Sequence, residues 1–178
     1  MIKKLDNIYG NNVYLRPIEF ADTNLIVTWR NNPRVKQNFI FQENFTYSMH
    51  EKWMKTKVLT GEVVQYIIIE KKSGKPVGSV YYRDINNNNR SAEYGIFIGD
   101  DNMIGKGYGT ETAKLFIDFG FKKLGLHRIS LRVLDNNKPA YKSYVSAGFK
   151  IEGVFRDMEF INGKYVNIIF MSILESDI

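Results

Sequence analysis

One glycine-rich stretch decides how this sequence is expected to fold: Gly99-Asp100-Asp101-Asn102-Met103-Ile104-Gly105-Lys106-Gly107-Tyr108-Gly109-Thr110. It follows an apolar run, 92–98, that is typical of a strand, and it precedes a segment whose apolar residues lie on one stripe of a helix. The three alternating glycines let backbone N–H groups converge, and the helix adds the positive end of its dipole. This order predicts a site for a phosphate or a diphosphate. A tight connection that binds nothing is the alternative that the pattern leaves open.

Two common phosphate-binding loops do not fit this stretch. A Walker A loop has four residues between its first glycine and Gly-Lys, whereas five residues separate Gly99 from Gly105 and Lys106 precedes Gly107. The dinucleotide fingerprint would need glycine at position 110 or 112, and both positions are threonine. The loop therefore belongs to a different class.

The remaining pattern predicts an α/β or α+β arrangement around one central sheet. Strand-like runs occupy 13–18, 63–70, 77–85, 92–98 and 129–133, and a closing hairpin joins 149–160 to 165–174 through the type I′ turn signal Asn162-Gly163. Helices are predicted after Asp22, from the capping-box spacing Ser48-x-x-Glu51 to Gly61, after the glycine loop, and from Asn137 to Gly148. We expect no second domain, because no repeat or linker divides the chain.

Composition excludes several functional classes. The chain has 178 residues, no cysteine and two histidines, so disulfides, thiol catalysis and cysteine-ligated metals are excluded and no metal site is expected. The formal net charge of +6 favours an anionic partner, but the basic residues are dispersed, which argues against nucleic acid. No apolar run is long enough to span a membrane, and Asp6 interrupts the start before a signal-peptide core forms. These features predict a cytoplasmic protein.

Two segments carry a resemblance to a known family. Ile104-Gly105-Lys106-Gly107-Tyr108-Gly109 resembles the Q/R-x-x-G-x-G/A signature of the GCN5-related N-acetyltransferases (GNAT), with Ile104 in place of the usual Gln or Arg. Asn137-x-x-Ala140-x-x-x-Tyr144-x-x-x-Gly148-Phe149 is similar to a second, more specific segment of that family. Together with Leu15-Arg16-Pro17, the likeness covers nearly the whole chain and is strongest to the RimJ/RimL-like branch.

The resemblance implies a single N-acetyltransferase domain over 1–178, with a mixed, mostly antiparallel sheet of six to seven strands and about four helices. It implies acetyl-CoA as co-substrate and acetyl transfer to an amine by direct attack, without a metal. The residues that it places beside acetyl-CoA are Ile96, Phe97, Ile98, Ile104, Gly105, Lys106, Gly107, Tyr108, Gly109, Thr110, Asn137 and Tyr144. The plain alternatives are core packing for the apolar trio, a helix cap for Asn137 and a solvated Lys106.

The same resemblance assigns two catalytic roles. Tyr144 matches the position of a tyrosine near the sulfur of coenzyme A, which implies the general acid, because a phenol is protonated at neutral pH. Glu93 matches a glutamate that takes the proton of the amine in several members, which implies the base. Their alternatives are an ordinary packed tyrosine and a solvated strand glutamate.

The acceptor is expected between the first helices and the last hairpin. The segment 29–35, W-R-N-N-P-R-V, resembles branch members that acetylate amino sugars linked to nucleotides, so Trp29, Arg30 and Arg34 are the expected substrate contacts. Ribosomal-protein N-termini, hence a peptide amine, are the alternative acceptor. A coenzyme A-binding protein without catalysis is the alternative function, and the resemblance is compatible with a homodimer.

Overall fold

A computed structural model describes residues 5–178 and shows one eight-stranded sheet with strand order β1-β2-β3-β4-β5-β6-β8-β7. All neighbouring strands are antiparallel except β5 and β6. The strands are β1 (Ile8–Tyr9), β2 (Val13–Pro17), β3 (Val64–Glu70), β4 (Pro76–Asn86), β5 (Ser91–Ile98), β6 (Arg128–Leu134), β7 (Lys150–Ile161) and β8 (Lys164–Leu174).

The helices cover both faces of this sheet. They are α1 (Thr23–Asn31), α2 (Pro33–Lys36), α3 (Tyr47–Trp53), α4 (Tyr108–Lys122) and α5 (Lys138–Ala147), and α3 continues as a π-helical turn over Met54–Val58. Helix α3 begins near Ser48 as predicted, but its cap is Thr46 rather than Ser48, because the Thr46 hydroxyl accepts the Met49 N–H at 3.2 Å. The caps predicted for α5, Asn137 and Gly148, are confirmed.

Two apolar clusters form where the alternating side chains of the sheet meet the helices. Under α4 and α5, Phe116 is fully buried and stacks on Tyr82, with ring centroids 4.3 Å apart. The Tyr82 hydroxyl donates to the Phe116 carbonyl at 2.7 Å, which satisfies the buried phenol. The second cluster, under α1 to α3, contains Trp29, Ile67 and Phe97. Each face of the sheet therefore carries its own core.

The sheet opens between β5 and β6. These parallel strands pair only from Ser91 opposite Arg128 to Glu93 opposite Ser130, and no pairing continues from Tyr94 onward. On its other side β5 stays paired with β4 as far as Ile98. The main-chain groups of β5 that face β6 are therefore free of strand partners beyond Glu93.

The α/β fold class with a mixed sheet is confirmed, and the sheet holds one strand more than the upper expectation. The additional strand is β1, which is two residues long and pairs with β2. The turn at Asn162-Gly163 is confirmed, since both residues have positive φ (49° and 79°). The start of the chain at 1–4, part of the expectation about a signal peptide, lies outside the described residues. Within residues 5–178, the helices lack the combined length and apolarity that crossing a membrane requires.

We expect Phe116→Ala to lower the free energy of unfolding by about 3–5 kcal/mol, because it removes a fully buried ring from the larger core. Phe20→Ala is the matched control: Phe20 is 39% exposed, so the loss should stay below about 1 kcal/mol. Urea unfolding of both variants measures the difference. Equal losses would contradict the central place of Phe116 in the core.

Candidate active site

The glycine loop forms an open cradle at the start of α4. Gly105 and Gly107 have left-handed φ angles of 76° and 81°, and nothing lies within 4 Å of the place where a Cβ would stand. Gly107 is the N-cap of α4, so the first N–H groups of this helix have no carbonyl partner within it. Ile104 and Lys106 are exposed at the rim. Free N–H groups, a helix dipole and open space suit the diphosphate of acetyl-CoA, which the backbone from Gly105 to Thr110 would hold.

Two side chains of the cradle brace it from behind. The Tyr108 hydroxyl donates to the Glu70 carboxylate, which raises the pKa of the phenol. Thr110 Oγ1 lies 2.9 Å from Ser143 Oγ on α5. Because both side chains are engaged with protein groups, these positions offer mainly their backbone to an anion.

The open edge of β5 presents backbone rather than side chains. Phe97 is 9% exposed and packs edge-to-face on Trp29, with centroids 6.2 Å apart, while Ile96 and Ile98 pack on the opposite face against the larger core. The side chains of these three residues are therefore packed in the core, as the alternative interpretation has it. Their main-chain groups along the open edge suit an extended chain such as the pantetheine arm.

Tyr144 lies on α5 beside the strand opening. Its ring is 8% exposed and meets Tyr94 edge-to-face, with centroids 6.1 Å apart. Burial raises the pKa of the Tyr144 phenol well above its usual range, so the group keeps its proton at neutral pH. In the part of the chain that the structure describes, neither the Tyr144 hydroxyl nor the buried Tyr94 hydroxyl has a hydrogen-bond partner. Tyr144 thus combines a retained proton with an unused donor.

Asn137 occupies the start of α5. Its side-chain oxygen accepts the Ala140 N–H at 3.3 Å, so the capping role is present. The amide NH₂ of the same side chain remains available as a donor. Contact with acetyl-CoA stays a prediction.

Glu93 is the last residue of β5 that pairs with β6, and its carboxylate lies between two arginines. Its Oε1 accepts from Arg83 Nη2 at 2.5 Å and from Arg132 Nη2 at 3.1 Å, and its Oε2 accepts from Arg132 Nε at 3.1 Å. A base must reach the proton of the amine. To act as one, Glu93 has to take that proton, directly or through water, in competition with two guanidinium groups. The solvated glutamate of the alternative interpretation is not what the structure shows.

The three expected substrate residues have different surroundings. Trp29 is 6% exposed and its ring lies against Gly99, where a Cβ would come within 2.1 Å of it. Arg34 Nε donates to Asp101 at 2.6 Å, and its Nη2 donates to the Ile98 carbonyl at 2.8 Å. Trp29 therefore contributes to packing and Arg34 joins α2 to the end of β5, and their contact with the acceptor stays a prediction. Arg30 is not committed in this way, since it lies over an aromatic ring and makes no ion pair among residues 5–178.

Sequence reasoning missed the neighbours of Glu93. Arg83 on β4, Arg132 on β6 and Tyr81 on β4 share its face of the sheet, because Arg83 and Glu93 are directly opposite in the register and side chains alternate along strands. The sequence carried one signal for this: residues 81 and 83 are two positions apart on a predicted strand, so their side chains share a face of the sheet. No group of three or more metal-ligating side chains occurs in the described range.

Comparisons with known proteins agree with this geometry. The family model "Acetyltransferase (GNAT) domain" matches residues 12–150. The spermidine N(1)-acetyltransferase of Escherichia coli strain K12 is 32% identical over 166 residues, which is 93% of this chain and 88% of that protein.

Solved structures of Vibrio cholerae spermidine N-acetyltransferase have the same fold. The complex with coenzyme A and spermine superposes with a TM-score of 0.87 at 27% identity, covering 93% of this chain and 97% of that one. A dodecameric form superposes with a TM-score of 0.79 at 28% identity, covering 93% and 95%. A cradle for a diphosphate, an open strand edge and a protonated tyrosine agree with these comparisons. The chain belongs to the GNAT acetyltransferase family and is an acetyl-CoA-dependent N-acetyltransferase.

Proposed function

We propose that this enzyme acetylates the primary amine of a small molecule by direct attack in a ternary complex, with Tyr144 as the general acid. The observation that carries the proposal is the unused, protonated hydroxyl of Tyr144 beside the opening between β5 and β6. Acetyl-CoA supplies an activated acetyl thioester. The cradle from Gly105 to Thr110 and the open edge of β5 would align it, and Tyr144 would protonate the sulfur as the carbon–sulfur bond breaks.

The acceptor amine has to be neutral when its nitrogen attacks the acetyl carbon, and it loses a proton as the carbon–nitrogen bond forms. Glu93 is the proposed recipient, directly or through water, because it lies on β5 at the point where the strands separate. Its bonds to Arg83 and Arg132 fix the carboxylate in place. If Glu93 takes the proton, Glu93→Gln should lower kcat, measured by thiol release, while acetyl-CoA affinity measured by calorimetry stays nearly unchanged.

We place an amino sugar linked to a nucleotide first among acceptors, on the resemblance of segment 29–35. Spermidine N-acetyltransferases among the relatives support a small-molecule amine. A peptide N-terminus, as expected from the RimJ/RimL-like branch, is the second candidate. The cytoplasmic location is likewise a proposal, which cell fractionation tests.

Gly107→Ala should weaken acetyl-CoA binding by about tenfold or more, because a methyl group would enter the mouth of the cradle. Gly125→Ala is the matched control, since Gly125 also has a positive φ (68°) and open space but lies after α4. Calorimetric titration with acetyl-CoA compares the variants. Equal affinities would contradict the cradle, and failure of the unchanged protein to bind would contradict the proposed function.

Tyr144→Phe should lower kcat by about 100-fold or more while acetyl-CoA affinity stays nearly unchanged, since only the donated proton is lost. In the unchanged enzyme, the alkaline fall of kcat assigned to Tyr144 should lie above pH 10, because burial raises the pKa of this phenol. Tyr141→Phe, on the same helix and half-buried, should retain full activity. Thiol release measures kcat, and an unaffected Tyr144→Phe would remove Tyr144 as the acid.

We also propose self-association through the closing hairpin. The edge strand β7 has β8 as its sheet neighbour, and the hairpin exposes a run of large apolar side chains, namely Ile151, Val154, Phe155, Met158, Phe160 and Tyr165. The dodecameric Vibrio cholerae relative supports an oligomer.

Phe155→Lys should lower the mass measured by analytical ultracentrifugation, because a charge would enter the proposed apolar contact. Leu59→Lys is the control, as Leu59 and Phe155 are both 51% exposed and Leu59 lies far from the hairpin in sequence. A monomeric unchanged protein, or equal effects of both substitutions, would contradict association through the hairpin.

A further inference from the structure

The α1–α3 face of the sheet has an excess of positive charge where β5 and β6 separate. Glu93 is shared by Arg83 and Arg132, so one carboxylate serves two guanidinium groups. Asp84 lies 3.6 Å from Arg83, but its side chain is 73% exposed and its charge is screened by solvent. At least one positive charge on this face is therefore not matched by a buried carboxylate.

Arg30 adds a third guanidinium to the same region. Its Cζ stands 3.3 Å from the centroid of Phe39, and Phe39 in turn packs on Phe97 of β5. Burial, together with the charge of Arg83, lowers the pKa of Arg30 to about 10, so the group is still charged at neutral pH. Across residues 5–178, Arg30 has no ion pair, and its guanidinium donates no hydrogen bond. A partly desolvated guanidinium with five free donors calls for an oxyanion.

Tyr81 lies on the same face of the sheet, two residues before Arg83 on β4 and opposite Gly95 of β5. Its phenol lies over Gly95, where a Cβ would come within 2.5 Å of the hydroxyl oxygen, and its ring meets Trp53 edge-to-face at 6.5 Å. Burial raises the pKa of the Tyr81 phenol; the positive charges of Arg83, Arg30 and Arg132 oppose that rise, and the charge of Glu93 adds to it. The Tyr81 hydroxyl has no hydrogen-bond partner among the described side chains.

This group of residues lies next to the reaction centre, on the side away from Tyr144. Gly95 is two residues beyond Glu93, on the part of β5 that has lost its partner β6. Tyr94, between them, points to the opposite face and packs against Tyr144. An amine that approaches the opening from the α1–α3 face therefore passes the arginines.

We propose that the acceptor carries a phosphate or carboxylate group besides its amine, and that Arg30, Arg83, Arg132 and the Tyr81 hydroxyl bind this oxyanion. The inference rests on the proposed function and assigns residues to the oxyanion of the acceptor; the amino sugar linked to a nucleotide that is placed first above carries such a group, whereas hexylamine and spermidine do not. Guanidinium groups bind oxyanions in pairs of charge-assisted hydrogen bonds, whereas a polyamine brings only positive charge to a surface that already has an excess of it. The chain thereby differs in acceptor from the relatives named as spermidine acetyltransferases.

Matched acceptors test the oxyanion site. Thiol release is measured with glucosamine and glucosamine 6-phosphate, with hexylamine and 6-aminohexanoate, and with spermidine. We expect kcat/KM to be about tenfold or more higher for at least one anionic member than for its neutral partner, and lowest for spermidine. The two pairs distinguish phosphate from carboxylate.

Arg30→Met should reduce that preference to within about twofold, while calorimetry shows unchanged acetyl-CoA affinity. Arg90→Met is the control, because it removes a positive charge that is paired with Glu175 away from the opening. Binding of each acceptor to the complex with coenzyme A is titrated separately, so that the result does not depend on turnover. Absence of a preference for the anionic member in both turnover and binding, or spermidine as the best substrate, overturns the oxyanion site. Absence of acetyl-CoA binding would instead overturn the proposed function.

Discussion

The early separation of β5 from β6 is the constraint on which the rest of the structure depends. Two parallel strands that stop pairing at Glu93 leave a row of backbone donors and acceptors without partners, and buried backbone groups are costly unless they are satisfied. An extended substrate arm can satisfy them. The same opening is bordered by both faces of the sheet, with Tyr144 on one side and the arginines on the other, which is the arrangement that the proposed mechanism requires.

The glycine cradle depends on this geometry as well. The loop 99–107 leads from the end of β5 to the start of α4, and Arg34 joins α2 to the Ile98 carbonyl at the end of β5. Trp29 packs on Gly99 at the same point, which leaves no room for a side chain there. Trp29 and Arg34 therefore hold the end of the strand from which the glycine loop starts.

Local signals made part of this molecule predictable from its sequence. The glycine loop, the Asn137 and Gly148 caps and the Asn162-Gly163 turn each depend on a few neighbouring residues, and each was found where expected. The cap of α3 was assigned to Ser48 instead of Thr46, because both residues are competent caps. The surroundings of Glu93 were missed, because Arg83 reaches it through the register of β4 on β5 and Arg132 through the position of β6, and the spacing of residues 81 and 83 gives only the face that they share. The same limit applies to Trp29 and Arg34, whose roles depend on where α1 and α2 dock.

The tryptophan side chains, which dominate the intrinsic fluorescence of a protein, are unequally distributed between the two faces of the sheet. The chain has two tryptophans, Trp29 and Trp53, and both lie on the α1–α3 face, one against Gly99 and the other against Tyr81. The opposite face, with Tyr144, Tyr94 and the larger core, has tyrosines and phenylalanines only. Intrinsic tryptophan emission therefore reports on the α1–α3 face without an attached label, through Trp53 beside Tyr81 and through Trp29 at the start of the glycine loop.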